Sequence, residues 1–378
     1  MKVWLNFEGK NLFKSKIYLS YLLIGTLLIV GFFTFQKLQE SNNVLTLTFQ
    51  VQDENQRIFQ EQMTVRTQIS DLQEEGQPVP QELSTYLAFL AETTNFNRLQ
   101  VEAIKNSNQP EFLENRMRWL ENNEGLLEMA SSLFLGINPV KIALEKERVN
   151  QIISENLFYE LEESSMNPIN YLVILGNFFF HPLTISLLII LFALPLLLDM
   201  EQGTFRFIYS ETNQPSKWLR SKKLTSIGGF LFFTIGVFGI SSLLIFIFGK
   251  PLIGNAGRNN GMYPYPLSNS LVTIQNYGWT KVLFGIFVFI LFSVLLSVLI
   301  SLLRKSFSNI ILFTIFQAIG FMSTQQVSFL KKWWNPYFLL DTSAYLQRYE
   351  SGMTQIYSVL VILFLVGILE LISHQIDD

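Results

Sequence analysis

Val282-Leu-Phe-Gly-Ile-Phe-Val-Phe-Ile-Leu-Phe-Ser-Val-Leu-Leu-Ser-Val-Leu-Ile-Ser-Leu-Leu303 runs for 22 residues without a charge or a proline. About 20 such residues let an α-helix cross ~30 Å of hydrocarbon, where nothing but the helix itself can pair the backbone amides. The stretch therefore reads as a transmembrane helix. Five more segments qualify on the same ground, roughly 17–36, 170–198, 225–249, 307–322 and 355–373. The one at 170–198 is longer than a bilayer needs and contains Pro182 and Pro195, so it is expected to tilt, kink or project past the membrane. The one at 307–322 is the shortest, and Gln317 and Gly320 interrupt it.

Composition agrees with a polytopic membrane chain. Hydrophobic residues make up 49% of it and charged ones only 15%, and Phe (35 copies) outnumbers Tyr and Trp together (13 and 6). There is no cysteine, which removes disulfides, thiolate catalysis and Cys-ligated metals, and the two histidines, His181 and His374, lie far apart. No phosphate-cradling Gly-x-x-x-x-Gly-Lys-Ser/Thr loop occurs. Intramembrane-protease sets are absent too, and the spans are poor in ionisable residues, with Asp199 at the end of the second and Glu370 near the end of the last. An ion-coupled transporter would place its charges deeper.

Orientation follows from the lysines and arginines of short loops, which mark the cytoplasmic side. Lys2, Lys10, Lys14 and Lys16 precede the first span, and Arg206, Lys217, Arg220, Lys222 and Lys223 follow the second. Arg304 and Lys305 follow the fourth. The alternate loops hold fewer, namely Lys250, Arg258 and Lys281, then Lys331, Lys332 and Arg348. Both termini are therefore expected in the cytoplasm. The first apolar run lacks a small-residue cleavage site and reads as a retained helix.

Residues 37–169 are then expected outside, as an acidic helical domain with helices near 44–75, 80–107, 110–134 and 139–163. Gly76-Gln-Pro-Val-Pro80, Asn108-Gln-Pro110 and Gly136-Ile-Asn-Pro139 supply the breaks. Ile58, Met63, Ile69 and Leu72 are read as one helical face. Two readings of the acidic surface stand, a solvated bundle and a site for a cationic ligand. The segment 1–16 pairs Trp4, Phe7, Leu12 and Phe13 with lysines and reads as cytoplasmic and interfacial, or as a short tail. Asn177-Phe-Phe-Phe180-His181-Pro182 is either an aromatic patch for a hydrophobic substrate or interfacial anchoring beside a kink. Loop 323–354, with Trp333-Trp334-Asn-Pro336 and Tyr337-Phe-Leu-Leu340, is apolar enough to dip into the bilayer, or is anchored by its tryptophans.

The most informative polar stretch is loop 199–224: Asp199-Met-Glu201-Gln-Gly203-Thr204-Phe-Arg206-Phe-Ile-Tyr-Ser210, then Gln214-Pro215-Ser216-Lys217 and on to Lys222-Lys223. Thr204–Tyr209 reads as a short helix with Phe205, Ile208 and Tyr209 on one side, and Ser216 is placed to cap a second. Glu201 beside a helix start suits the helix dipole, and Gly203 permits close approach.

Glu-x-Gly-Thr, a short hydrophobic helix, Pro, a Ser-basic pair and a lysine before the next span resemble the signature of exporter-class (type-2) ABC permeases. Here Pro215 abuts Ser216, and Lys217 stands where the family commonly has Arg. The resemblance implies an all-α subunit with six transmembrane helices in a bacterial cell membrane. Span 17–36 comes first, the extracellular domain 37–169 follows, and 170–378 forms a five-helix region. It also implies that the loop docks on a separate ATP-binding-cassette ATPase through Glu201, Gly203, Thr204, Phe205, Ile208, Pro215, Ser216 and Lys217. Lys222 or Lys223 takes the place of the family lysine. ATP and Mg would lie on that partner, with no catalytic, cofactor or metal residue on this chain. A second permease copy or a homologue and the lipid bilayer complete the expected partners, with no nucleic acid. The apolar spans favour a hydrophobic or amphipathic substrate such as a peptide, antimicrobial or lipid. The alternative is a membrane sensor or scaffold whose outer domain binds a ligand without transport.

Overall fold

The computed structural model describes residues 10, 16–129, 138–201, 215–254, 256–267, 269–303, 306–349 and 351–377, and these are overwhelmingly helical. In order come α1 (Lys16–Glu74), α2 (Gln81–Lys105), α3 (Gln109–Met129), α4 (Pro139–Ser154), α5 (Pro168–Phe179), α6 (Pro182–Glu201) and α7 (Pro215–Phe248). A two-stranded ribbon, β1 (Pro264–Pro266) and β2 (Leu271–Thr273), precedes α8 (Ile274–Leu303) and α9 (Ser306–Gln326). A 3-10 turn at Ser328–Leu330, α10 (Pro336–Leu340), α11 (Thr342–Arg348) and α12 (Gly352–Asp377) complete the described chain.

Among the described residues, five helical segments are long and apolar enough to cross a membrane: Ser20–Glu40, Pro182–Asp199, Lys217–Phe248, Ile274–Leu303 and Gly352–Ser373. That is the make-up of a multi-pass membrane protein. The segment 307–322 is helical as α9 but is not among the five. The segment 170–198 is two helices, parted at Phe180 and His181. Pro182 opens α6, where its missing N–H costs nothing, whereas Pro195 stays inside that helix. The first span and the helix expected from residue 44 are one element, because the Gln- and Asn-rich stretch between them carries no glycine or proline to stop it.

The chain divides into two compact units. The first comprises 1–33, 175–243 and 277–378. Its centre is aromatic: Phe230 stacks on Phe289 with centroids 3.5 Å apart, and Phe192 meets Phe230, Phe233 and Phe289 edge-on. Phe179 and Phe180 turn into this cluster and are buried. A Cβ on Gly285 would lie 2.0 Å from the Phe180 ring, so only glycine lets α8 come this close. Gln317 and Gly320, the residues that interrupt α9, seat Tyr337 of α10. The Tyr337 hydroxyl donates to Gln317 Oε1 at 2.8 Å, and its ring fills the space a Cβ on Gly320 would need. Loop 323–354 thus folds as packed short helices, with Tyr337, Phe338, Leu339, Leu340 and Tyr345 buried.

The second unit comprises 34–174 and 244–276. Here α2 packs on α3 and α3 on α4, around Leu90, Ala103, Phe112, Leu120, Val149 and Ile152. The face of α1 buried in this unit is Leu47, Val51, Ile58 and Val65. Met63 does not share it and is 47% exposed: five residues beyond Ile58, it is turned well round the helix. The helix expected over 139–163 ends at Ser154, because Asn156 takes φ 51° and turns the chain out of the helix.

Phe112 is fully buried with Tyr159 edge-on at 5.1 Å. Phe112→Ala should cost this unit about 3–5 kcal/mol, read as a lowered thermal midpoint of the purified protein.

Candidate functional site

Glu201 is the last residue of α6 and is exposed. Gly203, Thr204, Phe205 and Ile208 lie outside the described residues, as does the short helix expected over Thr204–Tyr209. Pro215 begins α7, so Ser216 falls in the first turn of that helix rather than ahead of it. Proline is well suited to a first helical position, and this one runs without a break into the apolar segment. Lys217 is exposed on its first turn.

What the structure brings together is the base of this loop. Asp199 on α6 pairs with Lys222 on α7 at 2.6 Å. Lys223, the next residue, donates to both carboxylate oxygens of Glu370 on α12 at 3.0 Å. Trp218 and Leu219 are buried beside them, with Lys222 over the Trp218 ring at 5.7 Å. The first turns of α7 are thereby two-sided. One side is tied to α6 and α12, while Lys217 and Arg220 face outward. Both lysines at the position of the resembled lysine are thus used, each for a different helix. Glu370 lies 147 residues from Lys223 in the chain, so spacing alone offers no signal for this pairing.

A second concentration of polar side chains lies in the other unit, around an irregular segment at 157–160 that has left the helix. Its backbone is paired by side chains. Gln109 accepts from the Tyr159 N–H at 3.0 Å and donates to the Leu157 carbonyl at 2.9 Å. Asn259 does the same for Phe158, accepting at 2.6 Å and donating at 2.9 Å. Arg148 donates to the Glu160 carbonyl at 2.7 Å and to the Tyr263 hydroxyl at 2.9 Å. Gly257 (φ 146°) passes so close to Phe158 that a Cβ there would overlap its ring. Nearby, Arg116 holds Glu54 with two hydrogen bonds, at 2.6 and 3.2 Å. The Glu160 carboxylate accepts from Ser165 at 2.8 Å and from the Leu252 N–H at 3.0 Å. Burial pushes its carboxyl up to about 8, against the pull of those donors and of Arg148. Every member of this cluster has a structural task, since buried polar groups need partners. Among the described residues no group of three or more metal-ligating side chains occurs.

Both polar sites have measurable consequences. A carboxyl with a folded pKa near 8 and an ordinary value of 4.5 when unfolded is proton-linked to folding. Its stability contribution is full below about 4.5 and is lost as pH rises through about 8. The thermal midpoint of this unit should fall over that window, and Glu160→Gln should flatten the fall. At the loop base, Lys223→Met alone should cost up to about 3–5 kcal/mol by stranding Glu370, and Lys223→Met with Glu370→Met should recover most of it in detergent melts. Compared with family models, characterised proteins and solved structures, the chain gives no match.

Proposed function

We propose that this chain is the membrane-spanning permease subunit of an ATP-binding-cassette exporter, driven by a separate ATPase subunit. The observation that carries the reading is the loop between α6 and α7. Its Glu201-x-Gly203-Thr204 and Pro215-Ser216-Lys217 resemble the segment by which such permeases engage their ATPase. Its base adds mechanical sense. A partner pressing on the loop would act on α7, whose first turns are bonded to α6 through Asp199–Lys222 and to α12 through Lys223–Glu370. Exposed Lys217 and Arg220 would offer positive charge to an acidic docking surface.

In this reading α9 is a sixth span and both termini are cytoplasmic. Residues 37–169 are extracellular, the subunit pairs with a second copy or a homologue, and Mg-ATP is bound and hydrolysed by the partner. The apolar, aromatic spans favour a hydrophobic or amphipathic cargo, such as a peptide, antimicrobial or lipid.

The test is purification of the tagged chain from its native membranes in mild detergent, with identification of what accompanies it. An ATP-binding-cassette ATPase should co-purify, and Glu201→Ala with Gly203→Leu should deplete it. If no ATPase is recovered even after chemical crosslinking, the exporter reading fails and a sensor or scaffold takes its place.

A further inference from the structure

The second unit exposes apolar side chains on α1, and they are not scattered. Leu38, Leu45, Phe49, Phe59 and Met63 are between 47% and 70% exposed. Their face is opposite the one that buries Leu47, Val51, Ile58 and Val65, so α1 is apolar on two sides. Leu38, Leu45 and Phe59 fall on one seven-residue repeat and Phe49 and Met63 on a second, offset by four and then three. Asn42, Gln52 and Gln56 fill the remaining places of the same two repeats. Alternating steps of four and three make the seam of a two-stranded coiled coil, and polar residues within such a seam fix register at a cost in stability.

We infer that this seam, residues 38–63 of α1, is where two copies of this chain pair as a parallel, in-register coiled coil. A second copy is the occupant that fits on three counts. First, a seven-residue repeat with polar layers is complementary to itself, since Gln52 and Gln56 meet their own counterparts only in register. Second, the span Ser20–Glu40 at the start of α1 gives every copy the same direction and height, so parallel pairing is the arrangement membrane insertion favours. Third, residues 37–169 hold 21 Asp and Glu against 10 Lys and Arg, so copies repel over most of this surface. The seam itself is uncharged from Leu38 to Met63, and the next seam position, Arg66, ends it. Asp53, beside the seam, is already paired with Arg57 at 3.3 Å. Confinement to one membrane raises the effective concentration of the two helices, so a short seam suffices.

This specifies the second-copy part of the proposed function without resting on its ATPase. Because the chain has no cysteine, single cysteines can be placed at will. Leu45→Cys, Phe49→Cys and Phe59→Cys, each expressed alone as the full chain in membranes, should form disulfide dimers on mild oxidation. Gln50→Cys, exposed but off the seam, should stay monomeric. Adding Phe49→Glu and Phe59→Glu to Leu45→Cys should abolish its dimer. Equal crosslinking on and off the seam would overturn the inference, as collision rather than pairing. Seam cysteines that neither crosslink nor react with a membrane-impermeant maleimide would overturn it too, by showing lipid or another protein as the cover. Seam cysteines that do not crosslink but react freely with that reagent would overturn it equally, by showing an uncovered face. Recovery of the ATPase is independent of all these results.

Discussion

Backbone amides that leave water must find a partner, and each part of this chain answers that demand differently. In the apolar segments the answer is the helix, which pairs every amide locally and leaves side chains to do the packing. In the second unit the chain stays irregular from Leu157 to Glu160 while buried against its own helices. There Gln109 and Asn259 act as detached pieces of strand, each offering an acceptor and a donor to the backbone of this segment. Arg148 and Tyr263 complete the pairing at Glu160. Removing Gln109, Asn259 or Tyr263 would leave a main-chain group of this segment without its partner, which is why such polar residues persist in an otherwise apolar interior.

Charge in the first unit is placed under a related constraint. Lys222 and Lys223 sit next to each other yet serve different helices, because consecutive residues on a helix point about 100° apart. Lys281, buried at the start of α8, donates to the Leu340 carbonyl at the end of α10. That carbonyl is one of the groups a helix end leaves open. None of these contacts adds a large net energy, since desolvation offsets much of each pairing. Their effect is on specificity, because a shifted helix would strand a charge.

Much of this architecture is legible in the sequence where the signal is local. Apolar runs of span length at 282–303 and 355–373 announce α8 and α12, and Gly76-Gln-Pro and Asn108-Gln-Pro mark the ends of α1 and α2. Pro182 foretells the break between α5 and α6. The misreadings are equally physical. Met63 groups with Ile58 on paper because both are apolar, but a helix with two apolar faces cannot be sorted by composition alone. The end of α4 escapes a sequence reading because no glycine marks it; Asn156 makes that turn in a left-handed conformation. The clamps at Gln109 and Asn259, and the Lys223–Glu370 pair, join residues 48 to 147 positions apart, where no periodicity reaches.

The pairing of Phe158 and Glu160 with Asn259 and Tyr263 has a consequence in time. Those partners lie 101 and 103 residues downstream, beyond α5, α6 and α7. A ribosome making this chain releases residues 157–160 well before it makes their partners, and at typical synthesis rates the gap is on the order of 5–20 s. Through that interval the backbone of Phe158 and the N–H of Glu160 lack the partners that Asn259 and Tyr263 later supply. Completion of this unit is therefore timed by the synthesis of the apolar helices that come between, and a chain stalled within them would carry an unfinished, recognisable domain.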